Sequence, residues 1–83
     1  MAKYDPLRDW LRARTDRDEI TLGFPDIEQL IGAALPASAH RHPAWWANEK
    51  DGPHVQARAW LDTGWRVDAV DQRARRVRFR RVS

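Results

Sequence analysis

Cysteine is missing from this sequence, so neither a disulfide nor a thiolate metal site can hold the fold together. Its absence fits a reducing compartment. No apolar run approaches the roughly 20 residues that a membrane-spanning helix needs. The start, Met1-Ala2-Lys3-Tyr4-Asp5-Pro6, lacks the charged-then-apolar layout of a secretion signal. The expected location is the cytoplasm, away from any membrane. Also missing are a glycine-rich phosphate loop, a nucleophile elbow and paired carboxylates in a plausible pocket, so no enzymatic activity is expected. His40 and His42 sit in a proline-flanked loop and His54 stands apart. No carboxylate or thiol completes a familiar zinc spacing around them, so no metal or other cofactor is expected. There is no internal repeat and no low-complexity tract, and 83 residues leave room for one core, giving a single domain over 1–83.

What the chain does have is tryptophan. Four of the five fall in two short stretches, Trp45-Trp46-Ala47-Asn48 and Ala59-Trp60-Leu61-Asp62-Thr63-Gly64-Trp65. Each indole can bury roughly 150–250 Å², so these rings decide where the core lies. Trp60 and Trp65 occupy core-facing positions. Adjacent residues on a helical turn point about 100° apart. One of Trp45 and Trp46 is therefore expected in the core and the other at the surface, where the pair supplies candidate partner-binding residues.

The periodicities give an order of elements. Asp5-Pro6 opens a first helix, with Asp5 as N-cap and Leu7, Trp10 and Leu11 on one face as far as Arg14. Ile20-Thr21-Leu22 alternates like a short strand. A second helix begins at Phe24-Pro25-Asp26, carries Phe24, Ile27, Leu30 and Ile31 on one face and ends at Gly32. The long connection over 33–52 is irregular with turns of helix. A third helix spans 53–63, opened by Pro53 and closed by Gly64. Ala57, Trp60 and Leu61 point inwards, and His54, Gln56 and Arg58 point to solvent. A hairpin completes the chain: Trp65, Val67 and Ala69 alternate with Arg66 and Asp68, Asp71-Gln72-Arg73-Ala74 turns, and Val77 and Phe79 alternate with Arg76, Arg78 and Arg80. The expected fold is α+β and winged-helix-like, with three helices, a short strand and a C-terminal hairpin in a small antiparallel sheet. The connection over 33–52 is longer than the usual link between packed helices.

Charge separates the two ends. Residues 1–53 hold seven Lys or Arg against nine Asp or Glu, and residues 54–83 hold eight against three. Six arginines lie between Arg73 and Arg81 with no acid among them. A basic block on an acidic scaffold is the footprint of a polyanion binder. Alternate strand residues lie roughly 6.8 Å apart on one face, so Arg76, Arg78 and Arg80 can follow a phosphate backbone. Arg73 and Arg75 sit at the hairpin tip. On the third helix and the loop before it, Lys50, His54, Gln56 and Arg58 form the matching recognition set, Gln and Arg being suited to base edges in a major groove. The expected function is duplex DNA binding by a small regulatory, nucleoid- or phage-associated protein. The alternatives are a protein-interaction module or adaptor using Trp45-Trp46, single-strand or RNA binding by indole stacking, or a plain solvated strand face. A protein partner or homodimer is left open.

The spaced residues Phe24-x-x-Ile27-Glu28-x-x-Ile31-Gly32, Leu35-Pro36-x-Ser38-Ala39, Trp45-Trp46-x-Asn48, Ala59-Trp60-Leu61-x-x-Gly64-Trp65-x-Val67 and Val77-x-Phe79-x-Arg81 resemble a family of small bacterial domains of unknown function. The resemblance runs from Tyr4 to Arg81. It implies a compact α+β domain and carries no assigned activity. Gly23 stands where the family often has Ser or Thr before the phenylalanine of the second helix.

Overall fold

Helix α1 (Asp5–Arg12) leads the chain in the computed structural model, which describes residues 2–49, 51 and 55–82. Pro6 sits in its first turn, where a missing N–H costs nothing. Asp5 is already helical rather than the cap, and its carboxylate accepts the Ala2 N–H at 3.0 Å. Leu7 and Leu11 are buried. Strand β1 (Glu19–Gly23) follows, with Ile20 and Leu22 inward and Glu19 and Thr21 exposed. Gly23 then hands over to α2 (Phe24–Ile31): its N–H donates to Asp26 Oδ2 at 2.8 Å, fixing the first turn. Gly32 closes α2 at φ 69°, the left-handed geometry that glycine reaches without a Cβ clash.

The stretch expected to be irregular is more ordered than its prolines suggest. It contains α3 (Ala37–Arg41) and a 3₁₀ turn (Pro43–Trp46). The third helix of the sequence reading is here a fourth, α4 (Ala57–Leu61), only five residues long. Pro53 and His54, placed at its start by the sequence, lie outside the described residues. Strands β2 (Trp65–Asp71) and β3 (Arg76–Arg81) form the expected hairpin, and β1 adds to its far side. The sheet is antiparallel with the order β1-β3-β2. The fold is α+β: among the described residues, four α-helices and a three-stranded antiparallel sheet.

Both members of the tryptophan pair belong to the core, which corrects the expectation that one would face solvent: Trp45 is 7% exposed and Trp46 2%. The pair sits in the tight 3₁₀ turn, and each ring finds a separate aromatic wall. Trp45 meets Tyr4 edge-on at 5.9 Å. Trp46 is stacked between Phe24 at 5.1 Å and Trp60 at 6.0 Å, and Trp60 continues to Phe79 at 5.7 Å. This row of rings joins α2, the 3₁₀ turn, α4 and β3. Such pairs each add about 0.5–1.5 kcal/mol beyond the area they bury.

The indole N–H groups find acceptors chosen to match. Trp46 Nε1 donates to the Ala39 carbonyl at 2.8 Å, Trp65 Nε1 to the Leu11 carbonyl at 3.0 Å and Trp60 Nε1 to Asn48 Oδ1 at 2.9 Å. Asn48 also pairs with Val67 as a short piece of strand would, Nδ2 donating to the carbonyl and Oδ1 accepting the N–H, both at 2.9 Å. Just beyond Val67 the β2–β3 register slips. That bulge turns Ala69 outward, against the expected alternation, and leaves Val70 packed on the core instead.

Asn48→Ala strands two backbone groups of Val67 and one indole N–H. It should lower unfolding free energy by about 2–4 kcal/mol, read from urea denaturation, whereas Asn48→Asp, which keeps the acceptor, should cost less.

Candidate nucleic-acid interface

Among the described residues no helix covers the outer face of the sheet, and its side chains are charged by simple alternation. β3 presents Arg76, Arg78 and Arg80, β1 presents Glu19 and Thr21, and β2 presents Arg66 and Asp68, all exposed. Sheet register decides what the arginines can do. Glu19 lies opposite Arg80, and Asp68 projects at the bulge beside Arg78. Arg78 reaches Asp68 at 2.8 Å, and Arg80 reaches Glu19 at 3.0 Å and Asp68 at 3.5 Å. Two members of the row of guanidiniums read from the sequence, Arg78 and Arg80, thus belong to a four-membered patch of alternating sign with Glu19 and Asp68. Hydrogen bonding from Arg78 holds the Asp68 carboxyl below its usual range, against an opposing effect of desolvation, and the nearby Arg80 charge acts in the same direction as Arg78.

The hairpin turn is different. Arg73, Arg75 and Arg76 are exposed, and among the described residues no carboxylate comes within ion-pair distance of them. Asp71, the nearest acid in sequence, accepts the Ala74 N–H with its carboxylate at 2.9 Å and so closes the turn. The turn is also fixed to the body of the domain. Gln72 Nε2 donates to the Ala39 carbonyl at 3.0 Å, and the Phe24 N–H donates to the Arg75 carbonyl at 2.8 Å. It lies against α2 and α3 instead of standing clear as a free wing. Arg75 adopts φ 58°, a left-handed geometry that a non-glycine residue accepts only at a steric cost. Arg41, exposed at the end of α3, follows closely on the Ala39 carbonyl that anchors Gln72.

The proposed recognition helix does not keep its set together. Gln56 is 4% exposed, and its Nε2 donates to the Trp45 carbonyl at 2.9 Å, so it is a core residue and not a reader of base edges. Its burial follows from the closeness of the 3₁₀ turn, whose carbonyl needs a donor. Arg58 is exposed on α4. It lines a cleft of about 500 Å³ with Lys3, Tyr4, Asp5 and Arg8 from the first helix and the residues before it. Burial beneath this cleft pushes the Tyr4 hydroxyl pKa up. Lys50 and His54 lie outside the described residues. His40 packs edge-on to Phe24 at 5.2 Å, and His42 is exposed. Trp45 and Trp46, the partner-binding candidates, are both buried.

One residue that the sequence left unassigned proves structural. The Arg81 guanidinium lies 4.5 Å over the Trp65 ring, and its Nε donates to the Arg17 carbonyl at 2.8 Å. The residue sits at the inward end of β3, which exact alternation would have revealed once Val77 and Phe79 were placed inside.

Because its pKa is lowered on folding, Asp68 contributes stability that is present above the ordinary carboxylate range and is lost as pH falls through the lowered folded value. Acid unfolding should show this: between neutral pH and the strongly acidic range the wild type should lose more stability than Asp68→Asn. Equal losses would mean that the pair with Arg78 does not form.

No helix among the described residues is long and apolar enough to cross a membrane. No curated protein and no solved structure matches the chain. A family model does, over residues 4–82, and the chain therefore belongs to the family described as Domain of unknown function (DUF7662).

Proposed function

We propose that this domain is a winged-helix variant that binds duplex DNA by its hairpin turn, with Arg73, Arg75 and Arg76 contacting phosphates. The element order and the β1-β3-β2 sheet support the winged-helix reading. The short α4 and the buried Gln56 argue that the usual division of labour is altered, so that the turn contributes more than the helix. The observation that carries the reading is the contrast within one strand and its turn. Arg78 and Arg80 are neutralised by Glu19 and Asp68, whereas among the described residues Arg73, Arg75 and Arg76 make no ion pair, the Asp71 carboxylate opposite Arg76 being turned to the Ala74 N–H, and they sit on backbone held at both ends. A guanidinium already engaged with a carboxylate must give up that contact to take a phosphate. An unengaged one on a fixed turn loses little and offers a bidentate fork. Phosphate contacts of this kind position a protein on DNA without reading its sequence, so the expected binding is weakly specific.

Binding through the tryptophan pair is not proposed. Either stacking of bases or docking of a partner on Trp45 or Trp46 would require the core to open.

Fluorescence anisotropy with a short duplex tests the reading. Neutralising three phosphates gives a log–log salt slope of about −2.7, from roughly 0.9 per phosphate. Joint replacement Arg73→Ala, Arg75→Gly and Arg76→Ala should abolish that slope. Arg75→Gly alone should weaken binding while keeping or raising the melting temperature, because glycine accepts φ 58° without strain. Asp68→Asn should strengthen binding by releasing Arg78 from its closest carboxylate, while Arg80 stays with Glu19. Absence of binding at low salt, or a slope unchanged in the triple variant, contradicts the proposal.

A further inference from the structure

The two edges of the sheet differ in how they are finished. Along β2, Asn48 occupies both backbone groups of Val67 and the adjacent bulge interrupts the regular edge. Devices of this kind keep a strand from pairing with another chain. β1 has neither. The Phe24 N–H bond to the Arg75 carbonyl and the Arg81 N–H bond to the Asp18 carbonyl set the phase of the β1–β3 ladder. In that phase Ile20 and Leu22 turn their backbone groups towards β3, and Glu19, Thr21 and Gly23 turn theirs to the outer edge. Asp26 takes the Gly23 N–H. Among the described residues, the outward N–H and C=O groups of Glu19 and Thr21 have no partner. Beside this edge lies a groove of about 310 Å³ lined by Trp10, Leu22, Asp26, Gln29 and Leu30. Asp26 belongs both to the groove and to the outward N–H of Gly23, so the groove borders the open edge.

We propose that β1 pairs antiparallel with β1 of a second copy of this chain, joining the two sheets across a two-fold axis. Ile20 then stands opposite the partner's Ile20, and Glu19 opposite the partner's Thr21. This register uses all the open backbone groups of Glu19 and Thr21 on both chains, in the self-complementary manner of an isologous interface. Charge favours it. On the outer face Glu19 meets a threonine whose own cross-strand neighbour is Arg78, so no like charges are opposed and the alternating patch continues from one copy to the next. On the inner side the half-buried Trp10 and Leu30 are the apolar surface that the pairing covers. The inference is independent of DNA binding.

Sedimentation velocity without nucleic acid tests it. Wild type should dimerise in the micromolar range. Thr21→Glu sets a carboxylate opposite the partner's Glu19 at two places in the dimer and should raise the dissociation constant by about tenfold or more. Within one chain the same carboxylate stands opposite Arg78, so the monomer should be as stable as wild type or more so, by thermal unfolding at low concentration. Thr21→Lys should do the reverse, tightening the dimer while placing like charge opposite Arg78. A merely structural residue would not move the two readouts in opposite directions. A wild type that stays monomeric at high micromolar concentration, or a dimer that Thr21→Glu leaves unchanged, overturns the proposal.

Discussion

A buried indole must find an acceptor for its N–H, and a core built from several indoles must find several. Trp46, Trp60 and Trp65 are all nearly inaccessible, and each is satisfied by a group outside its own helix or strand: Ala39, Asn48 and Leu11. Leaving a buried donor unsatisfied costs about 1–3 kcal/mol, a large share of the stability of a domain this small. The long connection between α2 and α4 is shaped by this requirement. It must deliver the Ala39 carbonyl to one ring and the Asn48 carboxamide to another while threading Trp45 and Trp46 into the core. Glu28 adds a further tie, its carboxylate accepting the Leu35 N–H at 2.7 Å where the connection leaves α2.

The same tie reaches the surface. The Ala39 carbonyl that accepts from Trp46 also accepts from Gln72, so the hairpin turn is fixed to the aromatic core through a shared oxygen. A turn held in this way presents its arginines in a defined place, and the free energy of ordering it is already spent on folding. On the sheet face behind it, Arg78 and Arg80 are paired locally with Glu19 and Asp68. The proposed contacts fall at the turn, where Arg73, Arg75 and Arg76 make no ion pair among the described residues.

Much of the fold could be read from single elements. Asp26 and Gly32 mark the two ends of α2, and the alternation of Val77 and Phe79 marks the inner face of β3, because those signals are local. The remainder depended on contacts between elements. Gln56 looks like any exposed glutamine until the 3₁₀ turn sets a carbonyl beside it. Arg78 and Arg80 look like a free row until the register brings Glu19 and Asp68 across from them; Asp68 was visible at an outward position, but Glu19 precedes the strand Ile20–Leu22 read from the sequence. The bulge that turns Ala69 out has no clear signal in the residues around it. The motifs that relate this chain to its family fall under the same explanation. Glu28, Trp46, Asn48, Trp60, Trp65 and Arg81 are engaged in holding the fold, so they report how the domain is built and leave its surface chemistry to other residues.

The most direct test of this account is a ¹H–¹⁵N NMR titration of the domain with a short DNA duplex. Shifts should be confined to the amides of Gln72 to Arg76, the Arg73, Arg75 and Arg76 side chains and the neighbouring end of α3, and the indole Nε1 signals of Trp46, Trp60 and Trp65 should stay in place. Shifts centred on α4 or on the indoles, or a spectrum that DNA leaves unchanged at low salt, would contradict it.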